Sequence, residues 1–185
     1  MNLRKLFSSL GFMGFATLVL FPLIAWPILY FTETPYFSIF QLDFENIFSI
    51  PTFLALGILF GLFMIWLSEH PYFSNDIEDY KKSFSGYKIT IWWAIYLSIC
   101  AGVGEEIFFR GALQPIFGIW LTSVFFVAIH TYFSFKNWKK NILAIFLTMF
   151  IVLLSWSAKN ESLWHAIAGH FSYDLVLLLY LRKEN

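Results

Sequence analysis

Long apolar segments, separated by short polar loops, make up nearly all of this chain. Of its 185 residues, 59% are hydrophobic, 22% are aromatic and only 13% are charged. Soluble domains carry about a quarter charged residues, whereas a membrane-spanning helix needs about 20 predominantly apolar residues. The sequence therefore predicts an all-α fold, a polytopic membrane helix bundle surrounded by the lipid bilayer.

Six apolar segments are long enough, or nearly long enough, to cross a bilayer as helices. They are Leu6–Phe31, Ile47–Leu67, Ile89–Leu113, Ile119–Phe135, Ile142–Trp156 and Leu163–Leu181. We expect about six transmembrane helices in a single membrane-embedded domain that covers residues 1–185. The first segment lacks a small-residue cleavage site, so we expect a retained helix rather than a removed signal peptide.

Basic residues concentrate in alternate loops. If the N-terminus is cytoplasmic, 10 of the 12 lysines and arginines lie on the cytoplasmic side, Arg110 lies within the membrane, and Lys159 alone lies outside. Cytoplasmic loops of membrane proteins carry such an excess, so we expect both termini in the cytoplasm. The 12 basic and 12 acidic residues balance, which argues against nucleic acid as a partner.

Ionisable residues interrupt three of the apolar segments. Glu105, Glu106 and Arg110 fall in a stretch of six consecutive residues inside one segment. His130 and His170 lie in two other segments. A charged side chain at the bilayer centre costs about 2.5–3.5 kcal/mol on insertion scales, which makes such residues candidates for function. Counted from the outer end of each segment, Glu105, His130 and His170 lie roughly 12, 17 and 11 Å deep. We therefore expect them to meet in one site.

Helical spacing separates the roles of these residues. Glu106 and Arg110 are four residues apart, in the favourable order for a helical ion pair, so we expect a structural pair that leaves Glu105 free to face the bundle interior. His170 and Asp174 are also four residues apart, so we expect them on one face of their helix.

Three chemical roles are open to such residue types. A carboxylate and an imidazole can remove a proton from water, or Glu105, His130 and His170 can hold a divalent metal such as zinc. A second imidazole can stabilise an oxyanion. The residues alone do not choose between a metal and a metal-free site.

Three motifs occur in order along the chain: Glu105-Glu106-x-x-x-Arg110, Phe126-x-x-x-His130 and His170-x-x-x-Asp174. Together they resemble the CPBP family of intramembrane proteases, which contains the CAAX prenyl endopeptidases and the bacterial Abi proteins linked to bacteriocin processing or self-immunity. The similarity covers a core of about residues 102–178. It implies that Glu105 and His130 activate water, and that His170 and Asp174 position the water or stabilise an oxyanion. Asp174 stands where members often have asparagine.

The leading hypothesis is an intramembrane endopeptidase that cleaves a peptide, protein or lipidated-peptide substrate. The resemblance is to the small bacterial branch and implies a location in a bacterial plasma membrane. A non-catalytic immunity or accessory protein on the same scaffold is the alternative. A haem protein with His130 and His170 as axial ligands ranks last, because it gives no function to Glu105, Glu106 and Arg110.

The orientation can be tested with topology reporters fused after Asn46, Lys82, Lys140 and Lys183. The distribution of basic residues predicts that the first fusion reports from outside and the other three from the cytoplasm. A C-terminal fusion that reports from outside would contradict this topology.

Overall fold

The computed structural model describes residues 10–73 and 89–184, apart from the side chains of Glu45, Lys183 and Glu184. Within these ranges the chain is helical and contains no strand. Six long helices follow one another: α1 (Leu10–Phe31), α2 (Ile50–Glu69), α3 (Ile91–Glu106), α4 (Gln114–Ile129), α5 (Trp138–Asn160) and α6 (Leu163–Glu184). A π-helical segment, Ile107–Leu113, joins α3 to α4, and two short helical turns, Tyr36–Phe40 and Phe44–Ile47, lie between α1 and α2. The predicted cytoplasmic basic residues Arg4, Lys5, Lys81, Lys82 and Lys88 lie outside the described residues.

Four helical runs are long and apolar enough to cross a membrane: Leu10–Phe31, Ile50–Glu69, Ile91–Ile129 and Trp138–Asn160. The helical membrane architecture is thus confirmed, but the expected count of six spans is not. The third run has 39 residues, or about 58 Å of helix, which is roughly twice the 30 Å hydrocarbon core of a bilayer. The final helix α6 does not qualify, because it carries the ionisable residues His165, His170 and Asp174.

The long third run contains a reversal of the chain. Gly118 has φ of 77° and ψ of 170°, a left-handed conformation that glycine adopts without steric cost. A continuous helix would place His130 about 37 Å from Glu105, whereas their Nε2 and Oε2 atoms are 3.5 Å apart. The helix α4 therefore turns back at Gly118 and packs along the π-helical segment.

The fourth and fifth predicted helices have other bounds in the structure. The fourth segment was expected to continue to Phe135, but α4 ends at Ile129, and Thr131 has φ of 60°. This value is unusual for a β-branched residue, and it turns the chain away from the helix axis. The fifth helix is longer than the predicted Ile142–Trp156, because Asn137 caps it by accepting a hydrogen bond from the Lys139 amide at 3.1 Å.

Proline explains part of the π-helical geometry. The amide of Gln114 donates to the carbonyl of Phe109, five residues back, instead of the usual four. The next residue, Pro115, has no amide hydrogen with which to continue the α-helical pattern. Single π-helical turns inside α-helices are common at functional sites, and this one directly follows Glu105 and Glu106.

The helix α6 lies at the centre of the bundle, in contact with α2, α3 and α5. Two glycines of α2, Gly57 and Gly61, form a GxxxG pattern on its contact face. A Cβ atom at Gly57 would overlap Ser172 and the Gly169 carbonyl, and one at Gly61 would lie 3.0 Å from Val176. Small residues at this spacing allow two membrane helices to approach closely, so the pattern brings α2 against α6.

The loops sort into two ends of the bundle. At the end that we call the basic end (residues 68–73, 131–140 and 180–182), Lys139 Nζ donates to the Tyr72 carbonyl at 2.9 Å and Tyr180 bonds Glu69. At the far end (residues 32–49, 118–119 and 157–165), the Trp164 indole donates to the Phe40 carbonyl at 3.0 Å. In each of these contacts, both partners belong to segments that were predicted to lie on the same side of the membrane.

Candidate active site

A cavity of about 560 Å³ runs from the middle of the bundle to the basic end, with walls from all six helices. The four predicted catalytic residues line it together: Glu105, His130, His170 and Asp174. They come from α3, from the residue after α4, and from α6. The remaining wall is mainly apolar, with Leu97, Leu147 and Leu177 among its residues. The structure therefore brings side chains that are distant in sequence to one cavity.

Glu105 and His130 form the first pair of the site. The Glu105 Oε2 atom lies 3.5 Å from His130 Nε2. On its other side, His130 Nδ1 lies 2.7 Å from the Phe126 carbonyl. A carbonyl oxygen can only accept, so Nδ1 carries the hydrogen and Nε2 is directed at Glu105. The imidazole is thus held in one orientation by the last turn of its own helix.

Glu106 lies in the protein interior and contacts both Arg110 and His170. It is fully buried, and its Oε1 atom lies 3.0 Å from Arg110 Nη1 and 2.7 Å from His170 Nδ1. The i,i+4 spacing identifies the contact with Arg110, but nothing in the sequence indicates the contact with His170. Glu106 in α3 therefore accepts a hydrogen bond from the His170 imidazole in α6, and Arg110 balances the negative charge of Glu106.

Arg110 is itself fixed by neighbours that the sequence analysis did not select. Its Nε donates to Ser155 Oγ at 3.3 Å, and its guanidinium lies 4.7 Å from the centre of the Phe126 ring. Ser155 in α5 also accepts from Gln114 Nε2 through its carbonyl at 2.8 Å. A serine in an apolar helix gives no specific signal for such a role. These contacts connect the ion pair to α4 and α5.

The two ring nitrogens of His170 both face carboxylates. Nδ1 contacts Glu106, and Nε2 lies 3.5 Å from Asp174 Oδ2. Nδ1 is thus occupied by a hydrogen bond to Glu106, whereas the longer contact of Nε2 with Asp174 is ionic. Among residues 10–73 and 89–184, no three His, Cys, Asp or Glu side chains group closely enough to hold a metal ion. In this arrangement Glu105, His130 and His170 are therefore not grouped as a set of metal ligands.

The remaining buried histidine belongs to another part of the molecule. His165 lies at the far end, where its Nδ1 contacts Ser162 at 2.8 Å and its Nε2 contacts Ser49 at 2.7 Å. Glu161 approaches the same Nε2 at 3.1 Å. This cluster joins the start of α6 to the start of α2 and does not line the site cavity.

The segment that carries the site is similar to known proteins. Residues 87–176 match the family of Rce1-like type II CAAX prenyl endopeptidases. A Bacillus subtilis (strain 168) protein named "Uncharacterized protein YpbD" is 32% identical over 123 residues, which cover 66% of this chain and 61% of the relative. The chain thus spans less than two thirds of the length of that relative. No solved structure matches the chain.

Cysteine accessibility tests whether the cavity holds water. Ala101 lines the cavity one helical turn before Glu105, whereas Ile99 on the same helix is exposed on the outside of the bundle. In a Cys100→Ala background, a charged methanethiosulfonate should modify Ala101→Cys about tenfold faster than Ile99→Cys, because thiolate forms only where water solvates it. Equal rates in intact membranes would contradict a water-filled cavity.

Proposed function

We propose that this chain is an intramembrane endopeptidase, because residues 87–176, which carry the site, match the Rce1-like family. Its substrate is a peptide, protein or lipidated peptide that enters the site cavity from the membrane or from the basic end. The observation that carries this proposal is the convergence of Glu105, His130, His170 and Asp174 on one cavity. Their positions leave room for water beside two possible proton acceptors.

Glu105 and His130 act on the attacking water. A water beside both side chains loses a proton to Glu105, and the resulting hydroxide adds to the carbonyl carbon of the scissile peptide bond. The Phe126 carbonyl keeps His130 oriented toward Glu105 throughout. When the C–N bond breaks, the proton held by this pair passes to the leaving amine. The step therefore needs no group beyond the side chains present.

His170 stabilises the oxyanion of the tetrahedral intermediate. Its Nδ1 hydrogen is held by Glu106, and an imidazolium at this position donates from Nε2 as well. Asp174 lies beside Nε2 and favours that donor form. An N–H donor directed at the developing negative charge in a low-dielectric site lowers the activation barrier of acyl transfer strongly. Asp174 thus supports His170 rather than contacting the oxyanion itself.

The shape of the cavity suits an apolar chain attached to a peptide. Along α6 its wall extends from His170 to Leu181, a distance of about 16 Å. Apolar side chains line most of this length, the carboxylates and His170 gather at the inner end, and Lys140 lines the cavity at the basic end. A substrate therefore places its peptide bond beside Glu105 and its apolar part toward the basic end.

We propose a bilayer arrangement that this geometry and the basic residues support. Six segments cross the membrane, with the reversal at Gly118 dividing the long third run and α6 crossing at the centre of the bundle, in one domain. The basic end faces the cytoplasm of a bacterial cell, since Lys136, Lys139 and Lys140 lie there and Lys159 lies opposite. The site cavity then reaches the cytoplasmic side.

Replacing the proposed base tests this function. Glu105→Gln keeps the size of the side chain and removes the proton acceptor, so cleavage should fall by about 10²–10⁴-fold. Purified wild type and variant are compared on prenylated and unmodified peptides, and membranes of the host are compared by mass spectrometry for a peptide that stops being processed. Glu69→Gln, a carboxylate at the basic end outside the cavity, serves as the matched control.

The double variant and a chelator separate the possible mechanisms. If Glu105 and His130 act as one unit, adding His130→Ala to Glu105→Gln should cause little further loss. A Glu105→Gln protein that cleaves at the wild-type rate would contradict the protease assignment. The donor geometry predicts that cleavage survives chelators, and loss of activity that zinc restores would contradict the metal-free route.

A further inference from the structure

The Phe126 side chain contacts both pairs of site residues. The centre of its ring lies 4.5 Å from the centre of the His130 ring, with 34° between the two planes, and 5.7 Å from the centre of the His170 ring, with 79° between the planes. The Arg110 guanidinium lies over the same ring, 4.7 Å from its centre. Phe126 is buried, so these contacts lie in the protein interior. One aromatic ring thus meets an imidazole of each pair and the cation that supports the second pair.

The Phe126 ring is also part of the environment of the buried Arg110 guanidinium. Nε donates to Ser155, and the 3.0 Å contact of Nη1 with Glu106 balances the charge. In residues 10–73 and 89–184, neither Nη1 nor Nη2 has a hydrogen-bond partner. The negative face of an aromatic ring attracts a guanidinium within about 6 Å, and it accepts N–H groups weakly. The Phe126 ring therefore compensates part of the polarity of these buried nitrogens.

The ring and the carbonyl of Phe126 constrain His130 in different ways. The carbonyl accepts from Nδ1 at 2.7 Å, which decides which nitrogen carries the hydrogen but fixes only one atom of the imidazole. The nearby ring restricts the tilt of the imidazole plane, and that tilt determines where Nε2 points. Since Nε2 lies 3.5 Å from Glu105 Oε2, a change in tilt changes the distance on which proton transfer depends. The side chain therefore adds a constraint that the carbonyl alone does not supply.

We propose that the Phe126 ring is a positioning residue of the active site, an inference that rests on the proposed protease function. Its attraction to Arg110 anchors the ring, and the anchored ring holds the planes of the His130 and His170 imidazoles. Arg110 therefore acts on the site in two ways, through the charge of Glu106 and through this ring. Catalytic groups must be held within about 0.5 Å and 10–20° of the productive geometry, so a weaker anchor lowers the rate without unfolding the protein.

Graded fluorination of the Phe126 ring separates this electrostatic role from simple packing. Fluorine withdraws electron density from the ring face and changes the ring size little, so the attraction for Arg110 falls stepwise from phenylalanine to its monofluoro and trifluoro forms. We expect kcat for peptide cleavage to fall stepwise, by about tenfold in total, as the loss of most of a buried cation–π contact predicts. KM should stay unchanged, because the ring orients reacting groups rather than substrate. The same series at Phe150, which stacks on Phe60 at 4.3 Å between α5 and α2, is the matched control and should leave kcat unchanged.

Nuclear magnetic resonance of isotope-labelled histidine gives a readout that needs no substrate. Phe126→Leu removes the ring and keeps the carbonyl that holds the His130 Nδ1 hydrogen. The His130 and His170 signals should broaden or split in this variant, because imidazoles that exchange between orientations on the microsecond-to-millisecond timescale give such spectra. The signal of His165 at the far end should keep its width. Phe150→Leu, a core truncation of the same size, should leave all three signals sharp.

The outcomes distinguish failure of this inference from failure of the proposed function. If kcat is constant along the Phe126 fluorination series while Glu105→Gln abolishes cleavage, the ring acts by packing alone and the inference is overturned. Sharp His130 and His170 signals in Phe126→Leu would overturn it too, as would an equal fall in kcat along the Phe150 series. If Glu105→Gln cleaves at the wild-type rate, the proposed function fails, and the histidine spectra alone then decide whether the ring positions the two imidazoles.

Discussion

The structure depends on one buried ion pair between Glu106 and Arg110. Both side chains are completely inaccessible to solvent, in a part of the chain where an unpaired charge is strongly unfavourable. Removing one member of a buried pair typically costs about 3–5 kcal/mol, because the other charge is left without compensation. The same Oε1 atom of Glu106 also accepts from His170 Nδ1, so the charge that must be balanced also fixes α3 against α6.

This pair gives the two adjacent glutamates different surroundings. Glu105 precedes Glu106 and faces the site cavity with His130, whereas Glu106 and Arg110 are completely buried. Consecutive residues on a helix point about 100° apart, which explains how two adjacent glutamates have different surroundings. The first is available for proton transfer, and the second holds His170 in place. A site in an apolar bundle needs both functions, since a reactive carboxylate is useful only beside partners of fixed geometry.

Local spacing determined how much of this arrangement the sequence could predict. The all-helical membrane fold follows from apolar length, and the pairing of Glu106 with Arg110 follows from their positions one helical turn apart. The contact of Glu106 with His170 could not be predicted, because helical periodicity says nothing about which faces of two helices meet. The reversal at Gly118 and the end of α4 at Ile129 depend on backbone conformations that the apolar pattern does not encode. The catalytic roles of Glu105, His130, His170 and Asp174 stay predictions.

The free energy of unfolding in a double-mutant cycle of Glu106→Gln and Arg110→Met tests the central claim most directly. If this pair supports the site, the double variant should be more stable than the sum of the single losses predicts, with a coupling energy of about 2–3 kcal/mol. Losses that add within about 0.5 kcal/mol would contradict the view that the Glu106–Arg110 contact organises the bundle.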